Sequence, residues 1–196
     1  MNERKLAFLG LLGPVVAYLF TGISIVLSPW FEWQSNDLSD LGHSVRSNVA
    51  QFFNFGLVLA GLFVAIYAIT AFKEEAKYTS CFTLIGAFLL QLVATFDEVY
   101  GFLHTLVSVL LFVFFSLTLI VFAVETKSAI PLVAFFISIG VWVGYFFDLY
   151  RGGIAIPEII ASLAISSCVV HSAARIILGF STQVSRIPNQ KEIDKT

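Results

Sequence analysis

Residues 102–124 read FLHTLVSVLLFVFFSLTLIVFAV, an apolar run whose only ionisable side chain is His104. A helix crossing the hydrocarbon of a bilayer needs roughly 20 apolar residues at 1.5 Å each, and this run is long enough. Working outward from it, five more such runs appear: Lys5 to about Leu27, Val49 to Phe72, Thr79 to Phe96, Ser128 to Phe147, and Pro157 to Phe180. The whole chain of 196 residues is 58% hydrophobic and 12% charged, more apolar surface than one soluble core of this size could hide. Lipid must cover the rest. The expected fold is therefore all-α, a polytopic membrane helical bundle of six transmembrane helices. It forms one domain over residues 1–180, and the polar stretch 181–196 reads as a disordered cytoplasmic tail.

A net charge of −2 excludes nucleic acid as a partner and leaves membrane lipid as the expected one. Oligomeric state leaves no signature. Cys81 and Cys168 both sit inside apolar runs, with neither a disulfide framework nor a zinc spacing around them. The N-terminal run continues past the length of a signal peptide, so it reads as an uncleaved first helix. Pro14 predicts a kink in that helix, Gly56, Ala60 and Gly61 a small-residue strip on the second, and Gln91 a hydrogen bond to another helix. Pro157 occupies a first-turn position of the sixth.

Orientation follows from the cations. With the N-terminus inside, Arg4, Lys5, Lys73, Lys77, Lys127, Arg175, Arg186, Lys191 and Lys195 are cytoplasmic, and only Arg46 and Arg151 lie outside. This bias predicts a protein integral to the plasma membrane with both termini cytoplasmic. All three outer connections then carry acids or histidines, including Asp97, Glu98 and Asp148.

The densest polar segment is Asp37-Leu-Ser-Asp-Leu-Gly-His43, just after the interfacial aromatics Trp30, Phe31 and Trp33. Ser39 and His43, or Asp40 and His43, share a face if the segment makes a helical turn. Asp97, Tyr100 and His104 share one if the fourth helix starts regularly. An imidazole two turns below the surface is a functional candidate by depth alone. Asp40, His43, Asp97 and His104 are thus candidate catalytic acids, bases or ligands, able to run acid–base chemistry or to bind a divalent metal such as zinc. No HxxxH, HxxE or CxxC spacing makes the metal specific. Ser39, Asn54, Tyr100, Arg46, Arg151 and Glu158 are candidate substrate contacts, the two arginines as phosphate partners. Plainer roles compete for each: Asp37 and Asp40 can hold turns, Asp97 can cap a helix, His104 can be a satisfied core histidine, and Glu158 can complement a helix dipole. Asp148 and Arg151 can be an exposed pair, and Arg175, one turn beyond His171, can snorkel.

Ser39-Asp40-Leu41-Gly42, Asn54-Phe55-Gly56 and the segment from Asp97 to His104 resemble the domain of unknown function 998 family of small archaeal and bacterial membrane proteins. The similar layout runs from the first helix through the sixth. The resemblance implies six helices and marks residues, and it implies no activity. The functions that the residues suggest are a hydrolase or transferase acting on a lipid or lipid-linked substrate, a small transporter or proton-coupled carrier, and a non-enzymatic membrane scaffold.

Overall fold

The computed structural model describes residues 3–180, in which helices and turns are present and strands are not. Residues 181–196, expected as a tail, lie outside the described residues. Six helices are long and apolar enough to cross a membrane. Helix α1, Glu3–Val26, runs through Pro14 without a break. Helix α2, Ala50–Tyr67, passes through a π-helical turn, Ala68–Phe72, into the short α3, Lys73–Glu75, so that one span covers Ala50–Glu75. The loop expected over Lys73–Lys77 therefore shrinks to Ala76, whose φ of −146° and ψ of 86° break the helix. There follow α4, Lys77–Thr95; α5, Phe102–Thr126; α6, Ala129–Phe146; and α7, Ala155–Leu178.

Helix α7 starts two residues before Pro157, because the Ala155 N–H donates to the Asn36 carbonyl at 3.2 Å. Proline still falls in the first turn, where a missing N–H costs no helix bond.

Short connections make each span antiparallel to the one before it, and the main packing partners run in the order α1, α2, α4, α5, α6, α7, with α7 closing on α1. The six spans form a ring. On the outside of α1, Phe8, Leu12, Val15, Leu19 and Ile23 are exposed at helical spacing, the pattern of a lipid-facing stripe. The inside is closed by small residues. A Cβ on Gly56 would come within 2.3 Å of Phe20 Cβ, and one on Gly61 within 2.8 Å of the Ala87 carbonyl, so the strip on α2 lets both α1 and α4 approach closely. Gln91 lies against Gly61, but its amide donates to the Ala87 carbonyl of its own helix at 3.5 Å rather than across the bundle.

One end of the ring holds Glu3 and Leu178. Its core is aromatic: Tyr67 stacks on Phe72 at 5.2 Å, and Phe72 meets Phe122 edge-on at 5.4 Å. Glu125 at the end of α5 caps α4 from outside, accepting from Tyr78 N at 3.0 Å and Thr79 N at 2.8 Å. Arg175 points to buried Glu75, with Nε 3.8 Å from Oε1, and Ser172 donates to Oε2 at 2.6 Å. The other end is built by residues 27–49, 96–101 and 147–154, and it carries the candidate site.

Candidate functional site

The first of these connections organises the other two. Leu38–Gly42 forms a 3₁₀ turn, and Leu41 anchors it, fully buried against Val49 and Phe53. Because Leu41 points inward, its neighbours point sideways to other elements. Ser39 Oγ donates to Glu98 Oε1 at 2.6 Å, Leu38 N to Glu158 Oε2 at 2.7 Å, and Ser44 N to Asp97 Oδ2 at 3.2 Å. Gly153 N donates to the Trp33 carbonyl at 3.1 Å, completing a lock among all three connections.

Much of the polar segment is spent on holding this shape. Asp40 Oδ2 accepts from Asn36 Nδ2 at 2.8 Å and from Asp37 N at 3.0 Å. Asn54 reaches up from α2 to donate to the Gly42 carbonyl at 2.8 Å, and a Cβ on Gly42 would strike Asn54 Oδ1 at 2.4 Å, so glycine is needed for the approach. His43 Nδ1 accepts from Val45 N and Arg46 N at 3.3 Å each, closing its own turn. Asp97 bridges two connections, since its Oδ1 also accepts from Val99 N at 2.9 Å.

Below the lock lies a cavity of about 130 Å³. Ser39 and Glu158 line its mouth, Leu57, Leu90, Val93 and Phe112 give it apolar walls, and Tyr18, Ser162 and Ser166 form a polar patch deeper down. Tyr18 Oη donates to Ser166 Oγ at 2.9 Å. A second cavity of about 60 Å³ shares Ala17, Leu90, Phe115 and Ser166 with the first and extends it towards the other end of the ring.

His104 stands behind the cavity wall and reaches it only through Ser108. Helix α4 ends at Thr95, so the Phe96 carbonyl has no helical partner, and it lies 2.7 Å from His104 Nδ1. A carbonyl only accepts, which places the proton on Nδ1 and leaves Nε2 with a lone pair in the neutral ring. Ser108 Oγ, 3.4 Å from that Nε2, lines the cavity.

Electrostatically the mouth is acidic. Glu98 is raised from the ordinary carboxyl value to about 7, by burial first and then by the neighbouring Asp40 and Asp37, against the Ser39 hydrogen bond. Asp37 is raised for the same reasons, burial first and Asp40 second, partly offset by His104. Among the described residues no three His, Cys, Asp or Glu side chains stand together in a way that could hold a metal ion.

Asp40, Asp97, His104, Ser39, Asn54 and Glu158 are thus brought to one end of the ring, and His43 with them. Tyr100 lies at the same end but does not share a face with His104: Gly101, at φ 53°, interrupts the register between a 3₁₀ turn at Glu98–Tyr100 and α5, so Tyr100 is exposed and edge-on to Phe96 at 5.5 Å. Arg46 and Arg151 are exposed and outside the cavity wall, as is Asp148, which adopts φ 51°. Sequence reasoning passed over Glu98 as a site residue and missed Ser108, Tyr18, Ser162 and Ser166. The signal existed for three of them, because Ser108 is one turn from His104 and Ser162 and Ser166 follow Glu158 at one and two turns.

Residues 11–175 match a family model described as protein of unknown function (DUF998). No curated protein and no solved structure matches the chain.

Proposed function

The chain belongs to the DUF998 family of proteins of unknown function, and from the chemistry of its own site we propose that it is a membrane-embedded hydrolase or transferase acting on an amphiphilic, lipid-like substrate. The observation that carries this reading is the cavity: apolar along its walls, polar at its mouth, and lined by Ser108, whose hydroxyl meets the His104 imidazole behind it. The apolar walls suit a segment of an acyl chain and the polar mouth a headgroup. His104 supplies the base, because Phe96 fixes its tautomer. Glu98, near half-protonated at neutral pH, is matched to giving or taking a proton at the headgroup end. Asp40, Asp97, His43 and Asn54 act as positioning residues that keep Ser39 and Glu98 in place.

The headgroup this mouth favours is not anionic. Asp37, Asp40, Glu98 and Glu158 crowd around it, and Arg46 and Arg151 stand away from it, so a phosphate-rich headgroup would be repelled and a hydroxyl- or amine-bearing one accepted. By the cation asymmetry, the mouth opens on the extracytoplasmic side.

The test is turnover in nanodiscs that contain neutral and amine-bearing ester lipids, followed by mass spectrometry of the products. Wild-type protein is expected to release fatty acid or a transacylated lipid, and His104→Asn to lower the rate on the order of 100-fold. Product formation in His104→Asn equal to wild type, or none from wild type above empty nanodiscs, overturns the proposal.

A further inference from the structure

Ser108 behaves unlike the other hydroxyls of its helix. On α5, Thr105, Ser116, Thr118 and Thr126 each donate to the carbonyl four residues back, the usual way a hydroxyl is satisfied in an apolar helix. Ser108 instead meets the ring nitrogen of His104 at 3.4 Å. In the neutral ring the Nδ1–H donates to the Phe96 carbonyl, so Nε2 is the acceptor and the Ser108 hydroxyl the donor. Ser108 is itself one of the residues that line the cavity.

We infer that Ser108 is the nucleophile of an acyl-transfer reaction at this cavity, with His104 as its base and the Phe96 carbonyl as the group that orients the imidazole; this rests on the lipid-directed reading above and deepens it. Nucleophile, base and orienter are the three parts an activated serine needs. A separation of 3.4 Å is a few tenths longer than a closed hydrogen bond, as such pairs often are before substrate binds. Position along the cavity agrees with the chemistry. Ser108 has Leu111 and Phe112 one turn below it on the same helix, both in the cavity wall, while Ser39 and Glu158 line the mouth. An ester carbonyl at Ser108 would hold its acyl chain in the apolar part and its alcohol towards the acidic mouth.

Ser108 Oγ attacks the ester carbonyl carbon and its proton passes to His104 Nε2. Collapse of the tetrahedral adduct breaks the bond to the alcohol oxygen, which leaves with that proton. The acyl group stays on Ser108 until water or a second alcohol attacks, again giving its proton to His104, which returns it to the serine.

The full chain in nanodiscs is treated with an alkyl fluorophosphonate, and the modified residue is located by peptide mass spectrometry. Attack by Ser108 forms an oxygen–phosphorus bond and expels fluoride. The expected result is an adduct on Ser108, absent from Ser108→Ala, at least tenfold slower in His104→Asn, and unchanged in Ser116→Ala, whose hydroxyl back-bonds within the helix. No adduct on Ser108 in the folded wild-type protein, or an equal rate in His104→Asn, overturns the inference. The two readings fail separately. Lipid turnover that depends on His104 without an adduct on Ser108 sinks the nucleophile alone, and an adduct without lipid turnover sinks the lipid substrate alone.

Discussion

Glu98 is the residue whose protonation the site controls most visibly. Its folded value of about 7 stands above the ordinary carboxyl value of 4.5, so the folded protein holds a proton that the unfolded chain releases. Stability from this group is complete below about pH 4.5, falls as pH rises from there through about 7, and is flat above. The effect is expected to be about 1–2 kcal/mol after solvent screening of a half-buried group is discounted. Thermal unfolding in detergent, followed across that range, should therefore show a decline that Glu98→Gln makes smaller, the remainder coming from Asp37, which is raised in the same direction. Above pH 7 the Glu98→Gln variant should melt higher than wild type, since the amide oxygen can still accept from Ser39; a decline of the same size in both proteins would put the proton elsewhere. The sequence held only half of this. Glu98 was visible as one acid of a connection, but its hydroxyl partner is 59 residues away. Only the burial of Leu41, which turns Ser39 sideways, brings the two together, and no spacing encodes that. Ser108 is the opposite case: four residues from His104 on one continuous helix, it was within reach of elementary periodicity.

At the scale of an element, the spans were legible because lipid acts on local composition. Six apolar runs had to become six helices, since no other backbone satisfies its own polar groups in hydrocarbon. The ends were less so. The π turn at Ala68–Phe72 carries α2 past its expected stop at Phe72, and α7 begins where Asn36 offers it a carbonyl, both of them tertiary effects. Helix packing makes a sharp prediction at the glycines. Gly56→Ala would force a methyl into Phe20 Cβ and Cγ, atoms too near the backbone to swing away, so α1 must separate from α2 at a cost of about 1–3 kcal/mol. Gly140→Ala has nothing within 4 Å of the new methyl and should be neutral or stabilising by about 0.5–1 kcal/mol through helix propensity. Unfolding midpoints of the two variants, compared in one detergent, check this; equal losses would mean that α1 and α2 do not pack through Gly56.

For the whole molecule the open question of orientation decides which lipids the cavity can sample. Among the described residues Arg4, Lys5, Lys73, Lys77, Lys127 and Arg175 gather at the end of the ring that holds Glu3 and Leu178, whereas the site end has Arg46 and Arg151. Cations near span ends are retained on the cytoplasmic side, so the site should face outward. The native thiols do not interfere, since Cys168 is buried and Cys81 lies on the outside of an apolar span. Val45 is 78% exposed in the site-end connection, and Lys127 is exposed in the turn at the opposite end. In intact cells a membrane-impermeant maleimide should label Val45→Cys fully and Lys127→Cys only after permeabilisation. The reverse pattern would turn the site to the cytoplasm. The lock among the three connections, the cavity and the Ser108–His104 contact are internal to the fold, so they would survive that reversal intact. What would change is the supply: the acidic mouth would draw on the inner leaflet, and the amine- and hydroxyl-bearing lipids of that leaflet would become the substrates to try.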